Sequence, residues 1–166
     1  MIVYITGGVR SGKSRFAQEK ALELSANPVY VATAKIWDDD FSRRVERHKQ
    51  ERGAQWTSFE SEMNIHLLPI GGKVVVIDCV TLWLTNIFMQ FENIEDCLAV
   101  FRKEIDGLAS LDGTFIIVSN EIGMGLHGET DLGRKFTDLQ GWANQYVASV
   151  ASEAILMVSG IPLTLK

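Results

Sequence analysis

Short runs of β-branched and aliphatic residues alternate along this chain with longer stretches of helical spacing. Ile2–Thr6 predicts a first strand, and Lys13–Ser25 the helix that follows it. Asn27-Pro28 breaks the chain before Val29–Ala32, a second strand. Asp38–Arg52 reads as a helix, with acidic residues at its start and basic ones toward its end, as the helix dipole favours, and Gly53 as its stop. Trp56–Glu60 is expected to be extended and Glu62–Leu68 helical. Gly71-Gly72 then turns the chain into Lys73–Asp78, whose unbroken Val and Ile mark a buried central strand. Thr81–Phe91 and Ile94–Ala109 read as helices, Thr114–Ser119 as a strand, Leu132–Ser152 as a long helix and Ala154–Val158 as a strand. Ser159-Gly160 turns into Ile161–Leu165, a short final strand. Strands alternating with helices predict an α/β fold, a mainly parallel sheet covered by helices. With no repeat, low-complexity segment or linker in view, residues 1–166 read as one domain.

Between the first strand and the first helix stands Gly7-Gly8-Val9-Arg10-Ser11-Gly12-Lys13-Ser14. This is the G-x-x-x-x-G-K-[ST] pattern of a P-loop, in the strand-to-helix context the motif requires. Its glycines let successive backbone N–H groups converge on one phosphate, and the helix N-terminus adds its positive end. Lys13 is expected to reach the outer phosphates, and the Ser14 hydroxyl to be a ligand to Mg²⁺. The pattern predicts a nucleotide-binding protein.

Composition narrows the class further. A net charge of -5 argues against general nucleic-acid binding. Cys79 and Cys97 have neither C-x-x-C spacing nor a disulfide framework, which suits reduced thiols and a cytoplasmic protein. No signal peptide is expected, nor an apolar stretch long enough to span a bilayer.

Asp78 ends the Val74–Ile77 run, where a carboxylate can organise Mg²⁺, often through water, or accept hydrogen bonds from the nucleotide. The bland reading is a strand-end aspartate satisfied by backbone amides. On the Asp38–Arg52 segment, Arg44, His48 and Arg52 recur every four residues and share one helical face. With Arg43, Arg47 and Lys49 nearby, five of the chain's 16 Lys and Arg fall within this segment. Cationic neighbours favour neutral imidazole, which can attack phosphorus, and the same guanidiniums can steady a phosphoryl group. A solvated basic face explains the pattern equally well, and the residues alone leave both readings open. His66 reads as a packed or surface side chain, and His127 lies in a glycine-containing loop at a strand end. The Asp-x-x-Gly and Asn-Lys-x-Asp signatures of a regulatory GTPase are missing, since Cys79-Val80-Thr81 follows Asp78 and Glu121-Ile122-Gly123 follows Asn120.

Several segments together resemble one known family, the bifunctional adenosylcobinamide kinase / adenosylcobinamide-phosphate guanylyltransferases. They are Ile5-Thr6 with the P-loop, Ala32-Thr33-Ala34, the Arg44…His48-Lys49…Arg52 pattern, and Asp78-Cys79-Val80-Thr81-Leu82-Trp83-Leu84-Thr85-Asn86. Val118-Ser119-Asn120-Glu121-Ile122-Gly123-Met124-Gly125 and Val158-Ser159-Gly160-Ile161-Pro162 complete the set. The resemblance implies a P-loop NTPase fold of the RecA-like group, a homotrimer, and a late step of cobalamin assembly or salvage. It implies phosphorylation of adenosylcobinamide by ATP or GTP, then transfer of GMP from GTP to adenosylcobinamide phosphate. The family's guanylylated histidine falls on His48. Its nucleotide contacts fall on Gly7, Gly8, Val9, Arg10, Ser11, Gly12, Lys13 and Ser14, on Ala32, Thr33 and Ala34, on Lys49, Gln50, Glu51 and Arg52, on Glu60 and on Asp78. Departures lie at Leu126-His127-Gly128, where the family commonly has Ile-Val-Pro, and at Gly53, where a proline often stands. A P-loop kinase of another small metabolite, without covalent GMP, is the alternative, and a nucleotide-dependent switch protein a more distant one.

Overall fold

The computed structural model describes residues 1–34, 53–91, 93–125 and 128–166. The segment expected as a helix over 38–52, His48 included, lies outside the described residues, as does His127. Strand β1 (Ile2–Gly7) runs into the P-loop and helix α1 (Lys13–Leu24). Strands β2 (Val29–Ala32) and β3 (Thr57–Glu60) follow, then β4 (Lys73–Asp78) and helices α2 (Val80–Phe91) and α3 (Ile94–Ala109). The chain ends with β5 (Gly113–Val118), α4 (Asp131–Val150), β6 (Glu153–Val158) and β7 (Ile161–Thr164). The strands form one sheet in the order β3-β2-β4-β5-β1-β6-β7, parallel throughout except for β7, which runs antiparallel to β6.

Period-two alternation sorts the strand residues between two cores. Val3, Ile5, Tyr30, Val76, Ile116 and Ile155 point to the α1 face and meet Ala17 and Ala21. Ile2, Val31, Val75, Ile77, Phe115 and Ile117 point to the other face, under α2, α3 and α4. Trp83 anchors that second layer, fully buried with its ring edge-on to Phe101 at 5.1 Å. Both faces of the central strands are therefore covered, which is why they read as continuous apolar runs.

One expected element differs. Glu62–Leu68 forms only a single 3-10 turn over Ile65–Leu67. Asn64 adopts a left-handed conformation (φ 58), and the Ile65 N–H donates to the buried Glu104 carboxylate at 2.8 Å, so a helix cannot start upstream of it. Among the described residues, the other boundaries agree to within two residues.

Parallel pairing also aligns the strand ends. Ala32 stands opposite Glu60 on one side and Asp78 on the other, Asp78 opposite Val118, and Val118 opposite Ile5. These residues form one row at the C-terminal margin of the sheet, with Glu60 and Asp78 two strand spacings apart, about 10 Å.

Candidate active site

The P-loop takes its shape from backbone conformations that few side chains allow. Gly12 caps α1 in a left-handed conformation (φ 95), and Arg10 is also left-handed (φ 54). Alternation of this kind turns successive N–H groups into one concavity. A Cβ on Gly7 (φ 149) would come within 2.4 Å of the Met157 carbonyl, so that position accepts glycine only. No side chain caps α1 and its first turn contains no acid, which leaves the helix N-terminus open to an anion. The turn between β6 and β7 braces the loop from behind, where the Gly160 N–H donates to the Ser11 carbonyl at 3.0 Å.

A cavity of about 320 Å³ opens over this loop, lined by residues from Val9 to Arg15, by Asp78 and Val118, and by Asn120. Among the described residues its lining includes Arg10, Lys13 and Arg15 and the carboxylate of Asp78, with the Arg15 guanidinium paired to Glu19 at 2.7 Å. Lys13 is only 6% exposed, and its ammonium donates to the Gly8 carbonyl at 2.6 Å. Burial pulls its pKa below the usual lysine range, with Asp78 and then Cys79 pulling the other way. A buried cation with so little compensation favours an incoming polyanion. Ser14 sits on the same wall.

Asp78 accepts a hydrogen bond on Oδ2 from the Tyr30 hydroxyl at 2.9 Å. The next residue, Cys79, is buried, and desolvation, with a smaller contribution from Asp78, pushes its thiol up to about 12. It is therefore a neutral neighbour and no nucleophile. Asn120, at the end of β5, donates to Thr81 Oγ1 at 3.0 Å and stands between the cavity and a buried Ser119–Gln140–Asn144 network. The Glu121 N–H donates to the Gly7 carbonyl at 3.0 Å, tying the segment after β5 to the P-loop.

The sequence expectations divide in space. Gly7 through Ser14 and Asp78 surround one cavity or build its loop. Ala32 and Glu60 share the row with Asp78 but belong to strands farther from the P-loop. Ala34 is half-buried just beyond β2. Thr33 is wholly buried, and each of its polar groups is engaged within the protein. Its hydroxyl donates to the Cys79 carbonyl (2.7 Å) and accepts from the Cys79 N–H (2.8 Å). Its N–H donates to the Asp78 carbonyl, and its carbonyl accepts from Asn86 Nδ2. In this arrangement Thr33 is the post that holds the end of β4, and so the Asp78 backbone, against β2. Thr33→Val keeps the shape but strands the buried Cys79 N–H, while the Cys79 carbonyl keeps its bond from the Trp83 N–H, so it is expected to lower stability by about 1–3 kcal/mol in urea denaturation. His48, Lys49, Gln50, Glu51 and Arg52 lie outside the described residues.

Tyr30 and Asn120 are the site residues that sequence reasoning missed. Asn120 carried a signal, since it follows a buried strand in the same way that Asp78 ends one. Tyr30 needed the β2–β4 register, which no local pattern shows.

Among the described residues, no group of three or more His, Cys, Asp or Glu could hold a metal. Asp78 and the Ser14 hydroxyl, both lining the cavity, are hard oxygen donors of the kind that suits a divalent cation bound with phosphates. Among those same residues, no helix is long and apolar enough to cross a membrane.

Comparison with known proteins points in one direction. The profile of the family described as cobinamide kinase / cobinamide phosphate guanyltransferase matches residues 3–165. A bifunctional adenosylcobalamin biosynthesis protein of Escherichia coli, CobU, is 34% identical over 182 residues, covering all of both chains. Its counterpart in Pseudomonas aeruginosa, CobP, is 33% identical over 171 residues, covering 98% of this chain and 95% of that protein. Among solved structures, the flagellar accessory protein FlaH of Methanocaldococcus jannaschii superposes with a TM-score of 0.52 over 99% of this chain and 77% of that one. At 14% identity that likeness speaks to the fold alone, a mainly parallel RecA-like P-loop sheet with flanking helices.

Proposed function

Since the chain belongs to the cobinamide kinase / cobinamide phosphate guanyltransferase family, we propose that it catalyses both reactions in the assembly of adenosylcobalamin. In this reading it phosphorylates adenosylcobinamide with ATP or GTP, then transfers GMP from GTP to adenosylcobinamide phosphate, releasing pyrophosphate. The observation that carries the proposal is the P-loop cavity, lined by Lys13 and Asp78 at a helix N-terminus, in a chain matched to the family over almost its whole length.

The P-loop N–H groups and Lys13 hold the β- and γ-phosphates of GTP, leaving the α-phosphorus open to in-line attack. A neutral ring nitrogen of His48 attacks, an N–P bond forms, and the bond to the bridging oxygen of the leaving pyrophosphate breaks. Lys13 balances the charge that develops on that leaving group. An oxygen of the cobinamide phosphate then attacks the same phosphorus and the N–P bond breaks, returning His48 to its free form. A covalent intermediate thus divides a displacement between two bulky anions into two steps. In the kinase reaction the substrate hydroxyl oxygen attacks the γ-phosphorus, its proton departs, and the nucleoside diphosphate leaves. Ser14 and Asp78 would hold Mg²⁺, which when bound would supply positive charge to offset that of the phosphates. Lys49, Gln50, Glu51 and Arg52, with Ala32, Thr33, Ala34 and Glu60, complete the proposed nucleotide surroundings. For Thr33 the contribution is through position, given its bonds to Cys79. Family resemblance extends the reading to a homotrimer in the cytoplasm.

Intact-mass spectrometry after incubation with GTP and Mg²⁺ tests the central step. A single added GMP, lost when adenosylcobinamide phosphate is supplied, is the expected result. Transfer of the γ-phosphoryl group to a small metabolite with no protein-bound GMP would favour a simple P-loop kinase instead.

A further inference from the structure

We propose that Tyr30 is a positioning residue for Asp78, fixing which carboxylate oxygen is offered to a nucleotide-bound divalent cation. The two residues occupy adjacent parallel strands. Tyr30 stands opposite Val76, and two residues further on Ala32 stands opposite Asp78. Period two then puts Tyr30 and Asp78 on the same face of the sheet, the one that carries α1 and the P-loop. The Tyr30 hydroxyl donates to Oδ2 at 2.9 Å.

The ring that carries this hydroxyl has little freedom. Tyr30 is 5% exposed and packs with Ala17, Ala21 and Val76, and Trp56 lies edge-on to it at 6.1 Å and 81°. A locked phenol pins one oxygen of the carboxylate and so determines the direction of the other. The choice of donor matters chemically. A lysine or arginine at this place would orient the carboxylate but also cancel much of its charge, weakening it as a partner for a cation. A neutral hydroxyl orients it and leaves the charge in place. Asp78 lines the same cavity as Lys13, so the fixed orientation is expressed where the phosphates are expected.

The inference rests on the reading that Asp78 serves a cation bound with the nucleotide, and the test separates the two. Tyr30→Phe removes one oxygen and keeps the ring against Trp56, and thermal melting of the nucleotide-free protein verifies that it folds. Titration calorimetry then measures GTP binding with Mg²⁺ and, separately, in EDTA. The expected result is a roughly 3- to 10-fold loss of affinity with Mg²⁺ and no change in EDTA, with half-saturating Mg²⁺ rising by the same factor. In an Asp78→Asn background, Tyr30→Phe is expected to add nothing, because the pair acts as a unit. Equal losses with and without Mg²⁺, or additive losses in the double variant, would overturn the role of Tyr30. If Asp78→Asn alone leaves Mg²⁺-dependent binding unchanged, the cation reading of Asp78 falls and the inference falls with it. Failure of the parent protein to bind GTP both with Mg²⁺ and in EDTA would overturn the P-loop reading and the inference with it.

Discussion

Lys13→Ala is expected to lower kcat/KM for both transfers by about 10²–10³-fold, since a preorganised cation aimed at developing charge contributes on that scale. The structure makes this a sharper test than the motif alone. The Lys13 ammonium is drawn into the loop against the Gly8 carbonyl, buried, with its pKa pulled down by desolvation. Such a group contributes little to holding the folded chain, because the cost of burying its charge offsets the hydrogen bond it makes. The melting temperature of the nucleotide-free variant should therefore stay within a few degrees of the parent, while turnover collapses. Steady-state kinetics separate the possible roles. A fall in kcat identifies Lys13 with the charge that grows in the transition state, whereas a rise in KM with kcat unchanged would reduce it to a simple anchor. Lys13→Arg is not expected to restore activity, because a planar guanidinium does not fit the space of a compact ammonium enclosed by the loop.

The second large effect concerns His48→Asn. Asparagine is close to imidazole in size and polarity but cannot form the phosphoramidate, so the GMP adduct should vanish from the mass spectrum. Guanylyl transfer should fall to background, while phosphorylation of adenosylcobinamide and the affinity for GTP remain within about threefold of the parent. The split between the two reactions is the informative readout, since a variant that merely misfolds loses both. An adduct that persists in His48→Asn would assign the covalent step to a different residue.

Some of these elements are written in the local sequence and others are not. The strand, P-loop and helix at the start were legible because phosphate binding restricts sequence and backbone together. β2, β4, β5 and β6 were legible because strands buried on both faces are written almost entirely in Val, Ile and similar residues. The turn at Ile65–Leu67 was not, because the residue that captures the Ile65 N–H is Glu104, 39 positions away. Thr33 shows the same limit at the site. Family resemblance implied that it contacts the nucleotide, but not that its hydroxyl would be consumed by both backbone groups of Cys79. Tyr30 became visible only once β2 and β4 were paired. Periodicity therefore told which residues face inward, and only the register told which of them meet.

The aligned strand ends carry one more implication. Glu60, Ala32, Asp78 and Val118 hang from a single rung of main-chain pairing, so the intervals between them belong to the peptide and not to the side chains mounted there. Exchanging a side chain at any of these stations alters the chemistry offered there, while the distance between stations stays constant. The margin of the sheet thus acts as a fixed gauge, on which individual fittings can be swapped without recalibrating the rest.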